Sequence, residues 1–221
     1  MDRLSTPEII DAGLTDWRKL SQRFHARFRA PDASVGAAFV ADAVAAAAAA
    51  GLGDHLEATV HPTAVDLQVA TDLGPGGIWV RADDVTLARL LSEVATRHDV
   101  TSTPGEVQQV ELGLDTAHDA RLGPFWAAVL TGDAGAVVGD TVFDPTGQGP
   151  SMWFQGTEPH EVPRQRWHPD LWVAAEVAEA RIAAAVAAGG TLVDASEAPS
   201  FTVLADPDGN KVCVCTFLDR G

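Results

Sequence analysis

The spacing of apolar residues in the first part of the chain alternates between that of a helix and that of a strand. Helical spacing, with a start signal at Ser5-Thr6-Pro7-Glu8, predicts three helices: a short one ending at Ala12, one over Ala37–Ala50 and one over Asp83–His98. Alternating or β-forming residues predict strands between them: a pair over Trp17–Ala30, one over Glu57–Ala70 and another over Ile78–Arg81. The predicted order is helix, strand pair, helix, strand pair, helix.

The second part of the chain repeats one arrangement, a strand followed by a helix and three further strands. The first copy is predicted to comprise a strand, a helix and a hairpin: Val107–Thr116, Asp119–Leu130, and Ala136–Asp144 with Ser151–Gln155. The second copy is predicted to comprise the same elements: Arg164–Ala174, Glu176–Ala188, Thr191–Asp194 and the closing hairpin Phe201–Phe217. This repetition predicts an internally duplicated domain.

Turn residues support the duplication. In the closing hairpin, Asp206-Pro207-Asp208-Gly209 combines a proline that presets φ, an aspartate that caps the turn and a glycine that accepts a positive φ. Asp144-Pro145 occupies the matching place in the first copy. Between the two parts of the chain, Val100–Gly105 is rich in turn formers. We therefore expect two domains, residues 1–100 and residues 106–221.

The formal net charge of −16 excludes several classes of partner. Residues 1–104 hold 14 acidic and 9 basic side chains, and residues 105–221 hold 17 and 6. Both parts are acidic, so we expect no binding to nucleic acid or to anionic membranes. The N-terminus lacks the basic and apolar regions of a secretion signal, and no apolar run is long enough to span a bilayer. The expected location is the cytoplasm.

The first part resembles pterin-4a-carbinolamine dehydratase over residues 6–98. The resemblance is carried by four segments: GLTDW at Gly13–Trp17, the FVADAVAAA helix, Glu57 to Leu67 with His61-Pro62, and Asp84–Ala88. It implies an α/β sandwich that dehydrates 4a-hydroxytetrahydrobiopterin with Glu57 and His61 as catalytic residues. The sequence departs from the family because Val60 replaces its first histidine, and the later loop that carries another histidine is missing. We therefore expect an inactive domain, with an active dehydratase as the alternative.

The second part resembles the vicinal oxygen chelate superfamily, which contains glyoxalases and bleomycin-resistance proteins, over residues 106–219. Arg166-Trp167-His168-Pro169-Asp170-Leu171 and Asp206–Asn210 followed by Cys213 carry this resemblance. It implies an α+β fold in which paired βαβββ modules curl their sheets around a ligand cavity, and it implies a homodimer.

The superfamily's metal site needs two histidines and two glutamates on matching strands. Those positions carry Gln109, Gln155, His168 and Cys213, which is a poor set for a hard divalent cation. Two carboxylates could replace missing metal ligands: Glu111, on the same face as Gln109, and Asp170, beside His168. We expect no metal and no cofactor.

Side chains on one face of the fifth strand of the duplicated part predict a small-molecule site. Arg166, His168, Asp170 and Trp172 alternate onto this face, and Trp153 lies on a neighbouring strand. His168 and Asp170 are the candidate catalytic residues. The candidate ligand-binding residues are Gln109, Glu111, Trp153, Gln155, Arg166, Trp172 and Cys213. The alternative is a buried His168–Asp170 pair among tryptophans of an ordinary core.

Three functions follow from these patterns. The first is a protein that binds a small organic ligand in its second domain, with a metal-free lyase or isomerase step that uses His168. The second is dehydration of a 4a-hydroxypterin by the first domain. The third is a non-enzymatic protein that sequesters a small molecule of the antibiotic type.

Overall fold

The computed structural model describes residues 3–74, 77–117, 119–131, 133, 135–144, 149–158, 167–187, 190–205 and 211–219. The chain forms two compact units. The first contains Met1–Val107 together with Phe217–Gly221, and the second contains Gln108–Thr216. Among the described residues, no helix is both long enough and apolar enough to cross a membrane.

The first unit combines three helices with a small antiparallel sheet. Its helices are α1 (Thr6–Asp11), α2 (Ala33–Ala49) and α3 (Ala82–Ala95). Its strands are β1 (Arg18–Leu20), β2 (Arg23–Arg29), β3 (Leu56–His61), β4 (Ala64–Val69), β5 (Thr71–Asp72), β6 (Ile78–Trp79) and β7 (Thr101–Ser102). The main sheet has the order β1-β2-β4-β3 with β7 beside β2, and β5 pairs with β6.

Two details of the first unit differ from the sequence-based expectation. The single strand predicted over Glu57–Ala70 is a hairpin, because the chain turns at Pro62-Thr63 between β3 and β4. Proline has no amide hydrogen for a sheet ladder, which favours the turn there. The segment predicted as a linker contains β7, which pairs with β2 and lies in the first unit.

The core of the first unit lies between the helices and one face of the sheet. Phe28 of β2 and Phe39 of α2 are almost fully buried and meet edge to face, with ring centroids 5.2 Å apart. Complete burial of each such side chain stabilises the fold by about 1.5–3 kcal/mol. Trp17 also belongs to this core, and its indole N–H donates to Ser92 Oγ at 3.0 Å. Trp17 is therefore a core residue of this unit.

The second unit contains the predicted duplication around one eight-stranded sheet. The first copy comprises β8 (Gln108–Thr116), α4 (Asp119–Thr131), β9 (Val137–Val138), β10 (Thr141–Val142) and β11 (Met152–Gly156). The second comprises β12 (Trp167–Val173), α5 (Ala175–Ala187), β13 (Thr191–Asp194), β14 (Phe201–Ala205) and β15 (Lys211–Cys215). The strand order is β13-β14-β15-β12-β8-β11-β10-β9. The predicted α+β class and the paired βαβββ arrangement are confirmed.

The pairing of strands shows how the two copies join. β8 and β12, the first strand of each copy, run antiparallel at the centre of the sheet. Each pairs on its other side with the last strand of its own copy in parallel, β8 with β11 and β12 with β15. The turn residues 206–209 and Pro145 lie outside the described residues.

The two faces of this sheet have different compositions. One face packs against the helices through apolar clusters: Leu114, Met152 and Phe154 with α4, and Val173, Leu204 and Val214 with α5. Side chains alternate along a strand, so the residues between these project from the opposite face. That opposite face carries the polar residues described next.

Candidate functional site

The helix-free face of the second unit collects polar and aromatic side chains from four neighbouring strands. Strand register places Gly113 of β8 opposite His168 of β12, and Glu111 opposite Asp170. Asp170 is in turn paired with Cys213 of β15, and Gly113 with Trp153 of β11. We call the helix-free side of these four strands, β8, β11, β12 and β15, the His168 face.

The His168 ring lies close to the backbone of β8 at Gly113. A Cβ atom at position 113 would meet the His168 ring at 2.6 Å, which is closer than real Cβ contacts come. The ring Nε2 lies 3.3 Å from Asp170 Oδ1, and Nδ1 lies 3.7 Å from Asp115 Oδ1. Trp153 meets the imidazole edge to face, with centroids 5.9 Å apart. Glycine in the strand thus makes room for an imidazole held between two carboxylates.

The carboxylates around His168 shift the pKa of its imidazole. The pKa of His168 is raised above its ordinary value of 6.5, first because Asp170 is within hydrogen-bonding reach and further because Asp170 and Asp115 are negative. Burial opposes this shift, since it penalises the charged imidazolium. The carboxylates prevail, and the His168 face favours a positive charge at this position.

Asp170 is buried, with 4% of its surface exposed, and one of its two carboxylate oxygens makes a hydrogen bond within the described part of the chain. Trp153 Nε1 donates to Oδ2 at 2.8 Å. Oδ1 has no hydrogen-bond partner among the residues that the structure describes, because its contact with His168 is close but poorly aligned. Asp170 therefore keeps lone pairs directed at the His168 face.

Glu111 is buried to the same extent but is fully engaged. Ser151 Oγ donates to Oε1 at 2.6 Å, and Trp172 Nε1 donates to Oε2 at 2.5 Å. Both oxygens have strong neutral donors, so Glu111 is held in one orientation. Its role here is to fix Trp172 and Ser151.

Three side chains of the His168 face could serve as metal ligands. His168, Asp170 and Cys213 each direct a ligand atom to one place, with those atoms within 4.8 Å of one another. The superfamily's set of two histidines and two glutamates is not reproduced, because two of its positions carry glutamines. Gln155 is exposed, and the Gln109 amide oxygen is buried without a hydrogen-bond partner in the described structure. The three donors that do meet, an imidazole, a carboxylate and a thiol outside any disulfide, are those that zinc uses.

The structure brings together most of the site residues predicted for the second unit. His168, Asp170, Glu111, Trp153, Trp172 and Cys213 all contribute to the His168 face. Arg166 lies outside the described residues. Sequence reasoning missed Asp115, Gly113 and Ser151. The first two could have been found, because both share the alternation of Gln109 and Glu111 along β8.

In the first unit, Glu57 and His61 are held by separate partners. Both lie on β3, four residues apart, which corresponds to about 13 Å along a strand. Glu57 pairs with Arg23 at 2.8 Å. His61 Nε2 lies 2.8 Å from Asp66, which also binds Arg27 at 2.7 Å. The structure therefore places the two predicted catalytic groups in two distinct ion-pair networks.

The second unit matches the model of a known protein family. The family model described as "Glyoxalase-like domain" matches residues 111–215. Residues 111–215 are a glyoxalase-like domain. The match begins at Glu111 and ends at Cys215, so it includes the described residues of the His168 face except Gln109.

Part of the chain is similar to a solved structure. This is the crystal structure of a transcriptional coactivator/pterin dehydratase from Brucella melitensis, with 26% sequence identity. The similarity covers 42% of this chain and 99% of that chain, with a TM-score of 0.37. No curated protein matches the chain.

Proposed function

We propose that the glyoxalase-like domain binds a small organic molecule at the His168 face and supports a lyase or isomerase step there. The observation that carries this proposal is a group of three buried oxygens of the second unit that have no hydrogen-bond partner among the described residues: Asp170 Oδ1, Asp115 Oδ1 and Gln109 Oε1. Native proteins leave few buried polar atoms unsatisfied, and the exceptions often occur where a ligand, an ion or a catalytic step supplies the missing partner. Here all three belong to strand positions of one face.

The surrounding side chains suit a small ligand. Trp153 is half-buried and stands edge-on to His168, which provides an aromatic wall beside polar groups. Its orientation is fixed by the hydrogen bond to Asp170. His168 and Asp170 would hold the reacting end of the molecule, and Trp153 would cover its apolar part. A lyase or isomerase step requires polar groups of this kind to stabilise charge that develops on an oxygen of the substrate.

A thermal-shift screen of small organic acids, alcohols and carbonyl compounds tests the binding. Free ligand at about 100 times its Kd stabilises the folded domain by about 2.7 kcal/mol, so binding raises the Tm. We expect His168→Ala to abolish the response to each stabilising compound. His98→Ala is the matched control, because His98 has a similar exposed side-chain fraction, 15% against 13%, and also pairs with an aspartate. An unchanged response in His168→Ala would refute the site.

Turnover decides between an enzyme and a sequestering protein. Each stabilising compound is incubated with the protein and its products are analysed. Chemical conversion that is lost in His168→Ala supports the lyase or isomerase step. Binding without conversion supports the sequestering function instead.

For the first unit we propose no catalysis. Glu57 is paired with Arg23 and His61 is hydrogen-bonded to Asp66, and the histidines of the resembled family are incomplete in this sequence.

A further inference from the structure

We infer that Cys213 is a nucleophile that adds to the carbon–carbon double bond of an α,β-unsaturated carbonyl compound bound at the His168 face. The inference rests on the proposed function and names the class of substrate for the same site. Cys213 lies on β15 and is paired directly with Asp170 of β12. Its Sγ, a ring nitrogen of His168 and a carboxylate oxygen of Asp170 lie within 4.8 Å of one another. A thiol, an imidazole and a carboxylate thus meet at one place on the sheet.

The two cysteines of the chain have different surroundings. Cys213 and Cys215 both lie on β15, project to the same face and are not part of a disulfide. Both are buried, with 9% and 1% of their surfaces exposed. Cys213 has the imidazole and the carboxylate beside it, whereas the residue paired with Cys215 is Trp172. Cys215 therefore provides an internal comparison for the reactivity of Cys213.

His168 is placed to take the thiol proton. The thiolate is the nucleophilic form of cysteine, and a neighbouring imidazole is a common activating base. The two ring nitrogens of His168 face different carboxylates, with Nδ1 3.7 Å from Asp115 Oδ1 and Nε2 3.3 Å from Asp170 Oδ1. A nucleophile beside a base that is itself oriented by a third group is the arrangement of catalytic triads.

Asp170 points independently to a ligand at this place. Its side chain is buried, and its Oδ1 has no hydrogen-bond partner among the described residues. The other oxygen accepts a hydrogen bond from Trp153 Nε1, which holds the carboxylate in position. Buried oxygens without a donor are rare in native proteins. A substrate with a hydroxyl or amide N–H group near its carbonyl would supply the donor for Oδ1.

The bond changes of the addition balance without a cofactor. The sulfur forms a bond with the β carbon, and the electrons of the double bond move toward the carbonyl oxygen to give an enolate. His168 carries the thiol proton at this stage, so its positive charge stabilises the enolate. Expulsion of the sulfur reverses the step. The former double bond is single in the adduct and rotates, so reversal restores it in either geometry, which is an isomerase step.

The aromatic wall suits this class of substrate. An α,β-unsaturated carbonyl group is flat because its double bonds are conjugated. The indole of Trp153 is half-buried, stands beside His168 and is fixed by its hydrogen bond to Asp170. Flat conjugated groups pack well against such a ring. Trp153 would therefore hold the double bond near the thiol.

The test measures alkylation of the untagged full-length chain by N-ethylmaleimide, an α,β-unsaturated carbonyl compound. A chelator is present throughout, so that no metal ion holds the thiol. We expect one adduct per folded chain in intact-protein mass spectrometry, located at Cys213 by peptide mapping. Cys215 should react only after unfolding in urea. Cys213→Ser should form no adduct while folded.

A second comparison tests the part of His168. His168→Ala should slow the alkylation of Cys213 by about 100-fold or more, the usual size of general acid–base contributions. His98→Ala should leave the rate unchanged. The inference is overturned if Cys213 reacts no faster than Cys215 in the folded protein, or if it keeps the parent's rate in His168→Ala.

The outcomes separate this inference from the proposed function. A thermal-shift screen without any stabilising compound, with the Cys213 adduct formed as expected, would count against the proposed function only. Stabilising compounds whose effect depends on His168, together with an unreactive Cys213, would count against the nucleophile only.

Discussion

Glu111 and Asp170 face each other across the central strand pair of the second unit, are equally buried, and differ in how many hydrogen bonds they accept. Glu111 has donors on both oxygens, Ser151 and Trp172. Asp170 has one, Trp153, and its second oxygen lies 3.3 Å from His168. This difference is the reason why we propose a structural role for Glu111 and a functional one for Asp170.

The first prediction concerns stability. Glu111→Gln replaces the charged acceptor of the Ser151 and Trp172 hydrogen bonds with a neutral amide, so it should lower the free energy of unfolding of the second unit by about 1–3 kcal/mol. Asp170→Asn should lower the free energy of unfolding by less, because the amide oxygen can still accept the hydrogen bond from Trp153 while the NH₂ group faces His168. Urea unfolding followed by tryptophan fluorescence measures both. Equal losses in the two variants would contradict the distinction.

The second prediction concerns Gly113. Gly113→Ala should displace the His168 ring, because the new Cβ would come within 2.6 Å of it. We expect the response to stabilising ligands to be lost and the Tm to fall, with an overpacking cost of about 1–3 kcal/mol. Gly156→Ala on β11 is the control, since a Cβ there meets nothing within 4 Å. A Gly113→Ala protein that retains the parent's ligand response would show that the ring position is unimportant.

The third prediction concerns the first unit. The parent protein should not dehydrate a 4a-hydroxypterin, because Glu57 and His61 are each engaged by a separate ion-pair partner. A direct assay of the carbinolamine with the parent and with His61→Ala measures this. Turnover that disappears in His61→Ala would establish the dehydratase instead.

The fourth prediction is a pH dependence at the start of α2. Asp32 caps this helix, and its pKa is lowered first by the hydroxyl of Ser34 and then by the amides of Val35 and Ser34. A carboxyl whose folded pKa is lowered contributes stability that is complete above its unfolded pKa and disappears as the pH falls through the folded pKa. Asp32→Ala should therefore have a lower Tm than the parent at neutral pH.

This Tm difference should shrink at strongly acidic pH, below the ordinary pKa of an aspartate, as the lowered pKa of Asp32 is crossed. Thermal unfolding of both proteins at the two pH values makes the comparison. A difference of the same size at both would indicate that the cap does not depend on the charge.

Much of the fold followed from the sequence because local patterns determine it. Alternation and turn residues predicted the duplicated βαβββ arrangement, and its helices and strands lie close to the expected bounds. The hairpin at Pro62-Thr63 was missed because the apolar pattern continues through it. The expected homodimer and cytoplasmic location remain predictions.

The candidate site was only partly predictable. Alternation along β12 correctly grouped His168 with Asp170, since it depends on one strand alone. The register between strands depends on more than one strand. It is this register that places Gly113 opposite His168 and Cys213 beside Asp170. Which carboxylate keeps an oxygen available also depends on donors distant in sequence, Ser151, Trp153 and Trp172.

The measurement that tests the central claim most directly is the response of the six tryptophan indole N–H signals to a stabilising ligand, in a ¹H–¹⁵N spectrum assigned by substitution. Trp153 and Trp172 donate to carboxylates on the His168 face. Trp126 and Trp167 meet each other at 4.9 Å on the helix-covered face. We predict that the ligand shifts the signals of Trp153 and Trp172 and leaves those of Trp126 and Trp167 in place. Shifts confined to Trp126 and Trp167, or to the first unit's Trp17 and Trp79, would contradict the account.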